Sequence, residues 1–198
     1  MRKILLATFN PGKIREYRAL LDGLGYRITT LAEEKITKVV TESGNSYEQN
    51  ARLKAVTYAK LSHLLTVADD SGLEVDALDG EPGIKSARFA GRAATDADRV
   101  TFLLARLDGV TSERRTARFK CLIAIATPDG QCQTCCGECP GIIALEPKGK
   151  NGFGYDPVFF LPEKGKTMAE LPLETKNQIS HRARASQKAH QILQQLHA

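Results

Sequence analysis

Apolar positions along this chain recur at two spacings, and the switches between them mark the elements. Lys3 to Thr8 is a short apolar run of strand type. Asn10 then supplies a helix N-cap, with Pro11 at the first helical position. Ile14, Tyr17, Leu20, Leu21 and Leu24 follow at helical spacing, and Gly23 and Gly25 end that helix. Ile36 to Thr41 is apolar and β-branched, which predicts a strand leading to Glu42-Ser43-Gly44. Ser46 with Gln49 has capping-box spacing and opens a second helix, whose buried face holds Tyr47, Ala51, Ala55, Tyr58 and Ala59. The run Leu64 to Ala68 predicts a strand that stops at two adjacent carboxylates, Asp69 and Asp70, with Ser71-Gly72 as a turn.

Further along, Thr95 with Asp98 caps a helix through Val100, Leu103, Leu104 and Leu107. Thr116 to Thr127 is a long apolar strand, Asp129-Gly130 a hairpin signal, and a cysteine-bearing strand returns. Gly141 to Leu145 and Pro157 to Leu161 read as two more strands. Ser180 caps a last helix with Ala185, Ala189, Ile192, Leu193 and Leu196 on its apolar face. Strands following helices, with hairpins midway, predict an α/β fold: a mixed β-sheet flanked by helices.

Composition adds bounds. At 198 residues the chain forms one domain with a large core, or two lobes sharing one sheet. The expectation is a single domain over 1–198. A formal net charge of +5 fits a polyanionic partner without choosing between a nucleic acid and a free nucleotide. No apolar run is long enough for a membrane span, and the apolar stretch at the start is too short for a signal peptide, so a cytoplasmic protein is expected. Five cysteines, an odd number, argue against a disulfide framework. Cys132, Cys135, Cys136 and Cys139 resemble two CxxC motifs. On a strand, however, Cys132 and Cys136 face one way and Cys135 and Cys139 the other, which tetrahedral zinc ligation does not allow.

Four constellations carry candidate chemistry. Thr8-Phe9-Asn10-Pro11-Gly12-Lys13 passes from a strand end into a helix start, where free N–H groups and Lys13 favour an anion; it lacks Walker A spacing, and taken alone a capped helix with a surface lysine explains it better. Asp69, Asp70 and Glu42 each follow an apolar strand, so neighbouring strands would bring them to one sheet edge. Adjacent like charges raise each other's cost of ionisation, and a divalent cation or a basic side chain offsets that cost. Mg²⁺ commonly binds through one or two carboxylates plus substrate phosphate oxygens, and a solvated acidic turn accounts for the Asp69-Asp70 pair alone equally well. Gly152-Phe153-Gly154-Tyr155-Asp156 can present an aromatic ring for base stacking, or simply pack it in a hairpin. Lys176, His181 and Arg182 gather cations near a helix N-terminus, where the dipole disfavours them unless a ligand compensates.

Taken together, LLATFNPGKIRE, ADDSGLEVDALDGEPGIKSARFAG, GFGYDPVFF and KNQISHRARA, in this order through nearly the whole chain, resemble the inosine triphosphate pyrophosphatase family. The resemblance implies Mg²⁺-dependent hydrolysis of noncanonical purine nucleoside triphosphates (ITP, dITP and XTP) to the monophosphate and pyrophosphate. It implies an elongated mixed sheet in two lobes with a central active-site cleft, and a homodimer. By position, Thr8, Asn10 and Lys13 would hold the triphosphate, Asp70 would be the general base and a metal ligand with Glu42, and Ser71 would touch substrate. Phe153, Gly154, Tyr155 and Asp156 would line the nucleoside pocket, and Lys176, His181 and Arg182 would read the base. Lys85, where the family usually has an aromatic residue, Phe89 in place of Tyr, and the cysteine-rich strand depart from the pattern.

Three other readings compete. A pyrophosphatase for pyrimidine or modified nucleotides would share the acids and differ in the pocket. A nucleic-acid-binding protein would leave Asp69, Asp70 and Glu42 unexplained, because carboxylates repel phosphates. A zinc module would need the cysteines to converge. The expected partner is a nucleoside triphosphate, with neither nucleic acid nor membrane.

Overall fold

The computed structural model describes residues 2–197. Its elements are β1 (Arg2–Leu6), α1 (Pro11–Leu20), β2 (Tyr26–Thr30), α2 (Tyr47–Ser62), β3 (Leu65–Val75), α3 (Asp96–Arg106), β4 (Thr116–Ala126), β5 (Cys132–Ile143), β6 (Phe159–Leu161), β7 (Lys166–Thr167), α4 (Leu173–Ile179) and α5 (His181–His197). The strands form a seven-stranded sheet in the order β2-β1-β3-β4-β5-β6-β7. β1 pairs in parallel with β2 and β3, whereas β6 is antiparallel to β5 and β7. The mixed sheet with helices expected from the sequence is what the chain forms.

The chain divides into two compact units. The first comprises Met1–Asp70, Cys121–Gly137 and Arg182–Ala198; the second comprises Ser71–Lys120 and Glu138–His181. In the first unit, two apolar clusters lie on opposite faces of β1, β3 and β4. Ile4, Leu6, Val67, Cys121, Ile123 and Ile125 pack against Tyr17 of α1 and Ala185, Ala189 and Leu193 of α5. Leu5, Ala7, Ala68, Ala124 and Ala126 pack against Ala51, Ala55, Tyr58 and Ala59 of α2. Period-two alternation along each strand sorts the residues to their faces. The second unit has its own core, in which Leu73, Val75, Leu103, Leu107, Phe119, Phe159 and Met168 are buried.

Local rules hold at most boundaries. Asn10 caps α1, its side chain accepting from the Lys13 N–H at 3.1 Å. Thr95 and Asp98 form the full reciprocal box at α3. At α2, Ser46 accepts from the Gln49 N–H, but the Gln49 side chain accepts from Asn45 rather than from Ser46 itself.

Several expectations are corrected. The strand expected at 36–41 is irregular, and β2 lies earlier, at Tyr26–Thr30. Val39 is exposed, while the Tyr58 hydroxyl donates to the Lys38 carbonyl and accepts from the Val40 N–H, so these backbone groups are satisfied without a ladder. Gly141 to Leu145 adds no separate strand, because β5 runs from Cys132 to Ile143 without a break. β3 does not stop at Asp69 but continues through Asp70, Ser71 and Gly72 to Val75. α4 was not foreseen, and Lys176 belongs to its last turn rather than to the start of α5.

Candidate active site

In the first unit the site is built from the ends of α1, α2 and α5 around the inner strand β3. The Thr8 hydroxyl accepts from the Asn10 N–H at 3.2 Å, and the Asn10 cap fixes the first turn of α1. That turn projects Lys13, whose Nζ lies 2.9 Å from Asp69 Oδ2. Lys13 is therefore no loose surface lysine.

Asp69 and Asp70 are neighbours in sequence, yet strand alternation turns them to opposite faces of β3. Asp69 follows Val67 toward α1 and α5; Asp70 follows Ala68 toward α2. This resolves the like-charge problem posed by the sequence. Asp69 is 2% exposed, and its Oδ2 also lies 3.7 Å from Arg182 Nε. Arg182, itself 2% exposed, pairs with Glu16 of α1 and sits over the Tyr17 ring. Burial pushes the Asp69 carboxyl up, but Lys13 and Arg182 outweigh it and hold the group down at about 2.

Asp70 has different company. Asn50 of α2 donates to its Oδ2 at 3.0 Å, and Lys54 Nζ lies 3.9 Å from its Oδ1. Lys54 also pairs with Glu42 Oε1 at 2.5 Å. Glu42 follows no strand, contrary to expectation; it lies in the segment before α2, and Lys54 links it to Asp70. Burial raises the Asp70 carboxyl; Lys54 opposes the rise and Glu42 adds to it, leaving the group above its ordinary value. Two adjacent acids are thus driven apart: one is a committed counter-ion and the other a stronger base.

Sequence reasoning missed Asn50 and Lys54. The available signal was a pair of polar residues four apart, next to the Ala51 and Ala55 stripe that α2 buries. Among the described residues no three His, Cys, Asp or Glu side chains converge as a metal cluster. Asp70 and Glu42 form a carboxylate pair, which suits an ion that takes its other ligands from water and phosphate.

The second unit holds the remaining residues. Asp156 is buried, accepts from the Phe153 N–H at 2.9 Å through Oδ2, and pairs with Lys176 of α4. Gly152 has φ of +76°, and a Cβ there would lie 1.9 Å from Asp156 Oδ2, so only glycine permits this loop. The Lys176 ammonium stands 4.9 Å from the Phe153 ring centroid. The Tyr155 hydroxyl donates to the Ser86 carbonyl at 2.9 Å, which ties the aromatic loop to the GIKSAR turn. Asp96, also not foreseen, accepts from the Gly154 N–H at 2.7 Å. His181 stacks on Phe119 at 4.7 Å, and Ser71 is a half-buried strand residue of β3. Lys85 is exposed, and Phe89 makes an edge contact with Phe102 at 5.0 Å.

Cys132, Cys135, Cys136 and Cys139 lie on β5 as expected, with Cys132 packed toward the α2 face of the first unit and Cys135 toward the α5 face.

Residues 4–192 match the profile of the Ham1 family. The chain is 49% identical over 195 residues to the dITP/XTP pyrophosphatase of Desulforamulus reducens, covering 98% of this chain and 97% of that protein. It is 44% identical over 194 residues to the dITP/XTP pyrophosphatase of Bacillus subtilis, covering 98% of each. Among solved structures, a HAM1 protein from Coxiella burnetii superposes with a TM-score of 0.88 at 39% identity, covering 98% of this chain and 100% of that one. The Staphylococcus aureus Ham1 protein does so with a TM-score of 0.87 at 40% identity and the same coverage. With the family profile matched over residues 4–192 and these relatives alike along nearly their whole length, this chain belongs to the Ham1 family.

Proposed function

We propose that this chain hydrolyses ITP, dITP and XTP to the monophosphate and pyrophosphate, with Mg²⁺ as cofactor. The observation that supports it most is the split between Asp69 and Asp70. An acid held ionised beside Lys13 and Arg182, next to an acid raised toward neutrality beside Lys54, is the pattern of a site that separates binding from proton transfer. The relatives named for this activity match along nearly the whole chain.

Thr8, Asn10 and Lys13 hold the triphosphate at the start of α1, where the helix dipole and the Lys13 ammonium favour negative charge. Asp70 accepts a proton from water as the water oxygen bonds to the α-phosphorus; the bond to the bridging oxygen breaks, and pyrophosphate leaves with its electron pair. Asp70 and Glu42 would hold Mg²⁺, which when bound supplies positive charge to the phosphate oxygens and acidifies water. Lys54 bridges the same two carboxylates and offers a further cation to the phosphates.

The nucleoside falls to Ser71, Phe153, Gly154, Tyr155 and Asp156, with the Phe153 ring as a stacking face. Lys176, His181 and Arg182 read the base. Hypoxanthine and xanthine present a carbonyl acceptor at position 6, and adenine an amino donor; Arg182 carries donors only, so adenine leaves donors facing donors. Glu16 keeps the guanidinium in one orientation. A homodimer acting in the cytoplasm completes the reading, and light scattering in solution checks the dimer.

Steady-state pyrophosphate release from ITP, XTP, GTP, ATP and pyrimidine triphosphates, with and without Mg²⁺, tests the whole. Inertness toward every deaminated purine nucleotide in magnesium buffer would end it. Asp70→Asn is expected to lower turnover by roughly 10²–10⁴-fold, the usual range for loss of a general base. Arg182→Ala is expected to narrow the gap between ITP and ATP; an unchanged ratio removes Arg182 from base reading.

A further inference from the structure

Asn50 is fully buried in α2, where asparagine is a poor helix former and a buried amide is costly unless both of its ends are bonded. Both ends are. Its Oδ1 accepts from the Gly44 N–H at 2.8 Å, and its Nδ2 donates to Asp70 Oδ2 at 3.0 Å. The partners settle the amide's orientation, because a backbone N–H only donates and an ionised carboxylate only accepts. Gly44 follows Glu42 by two residues, so one amide ties the segment that carries Glu42 to the reactive carboxylate.

The fit at Gly44 is close. A Cβ there would lie 2.8 Å from Asn50 Oδ1 and 2.6 Å from Gln49 Cβ, so the backbone approaches the amide only as glycine. No other side chain substitutes readily for Asn50. Aspartate lacks the donor, glutamine is one methylene too long for a filled site, and leucine leaves both partners unbonded.

We infer that Asn50 is a positioning residue for the reaction: it holds Oδ2 of Asp70 so that Oδ1, the oxygen nearer Lys54, is presented to the substrate water, and it fixes the Glu42 segment against the same carboxylate. The inference rests on the reading of Asp70 as the base.

The experiment is a double-mutant cycle on XTP hydrolysis, with kcat and KM measured separately and the unfolding midpoint recorded for each protein. Asn50→Ala is expected to lower kcat by roughly tenfold to a hundredfold, the scale of one hydrogen bond to a charged group, with KM changed by less than about twofold. In the Asp70→Asn background the same substitution is expected to change the residual kcat by less than about twofold, since no base remains to be positioned. An equal fold loss in both backgrounds, or no loss in either, overturns the inference. Asn50→Leu supplies the second arm: it fills nearly the same space and deletes both the acceptor for Gly44 and the donor to Asp70. Positioning of Asp70 requires it to be as slow as Asn50→Ala; near-wild-type kcat would mean that Asn50 only fills space and would overturn the inference. Wild-type turnover by Asp70→Asn alone would refute the base assignment itself, a result separate from either of these.

Discussion

At the scale of single residues, the chemistry of this chain turns on what each charge is paired with. Asp69 has a folded-state pKa near 2 against an ordinary value of 3.8, so between these values the unfolded chain binds more protons. The stability it contributes is present above about pH 4 and is lost as pH falls toward 2, on the order of 2 kcal/mol in all. Asp69→Ala strands Lys13 and Arg182 beside a vacant carboxylate position and is expected to cost about 3–5 kcal/mol in urea unfolding. Asp70 has the opposite sign. Its raised pKa means that the folded chain holds its proton more tightly, so ionised Asp70 weakens the fold once pH exceeds its unfolded value. Asp70→Asn should therefore unfold at a higher midpoint than the wild type at neutral pH while losing turnover. A calorimetric scan checks it, and a lower midpoint would contradict the electrostatic account.

At the scale of elements, packing decides what a cap or a period leaves open. Gly141 lies in β5 where a Cβ would meet the Phe159 ring at 2.6 Å and the Phe160 carbonyl at 2.7 Å. Gly141→Ala is expected to destabilise the protein by about 1–3 kcal/mol through overpacking, measurable as a lower denaturation midpoint without a change in KM. The helices with strong caps, α1, α2 and α3, were legible because an Asn, Ser or Thr stands before an apolar stripe. β3 was legible only to Asp69, since a pair of carboxylates reads as a strand end unless each charge has a buried partner, and those partners come from distant helices. Ile36 to Thr41 has strand composition but no neighbour to pair with, and Tyr58 takes over its polar backbone. The candidate site was readable as a set of residue types. Asn50, Lys54, Glu16 and Asp96 were not, because hydrogen bonds between elements leave no period in a sequence.

At the scale of the whole molecule, a net charge of +5 meets a substrate that carries several negative charges. Raising ionic strength from about 20 to about 300 mM shortens the screening length severalfold, so KM for XTP is expected to rise while kcat holds. A falling kcat with constant KM would place the salt effect in the chemistry instead. Among the described residues no helix is long and apolar enough to cross a membrane. The mixed sheet was legible from the order of elements. Two lobes sharing one sheet stood among the expectations, but the boundaries of the two compact units did not, since β3, β4 and β5 each give one stretch to either unit and no linker composition marks the change.

The pleat of β3 has a consequence for how such an enzyme can change. Asp69 answers first to Lys13 and Arg182, and Asp70 first to Lys54 and Glu42. One peptide bond therefore separates two dials, each turned chiefly by its own helices and more weakly by the other's lysine. Substitutions along the second helix act first on the reactive acid, and substitutions along the first and last act first on its neighbour. In lineages adapting to hotter or more acidic surroundings, the charges around Asp69 are the ones that carry stability, and those around Asp70 the ones that carry rate.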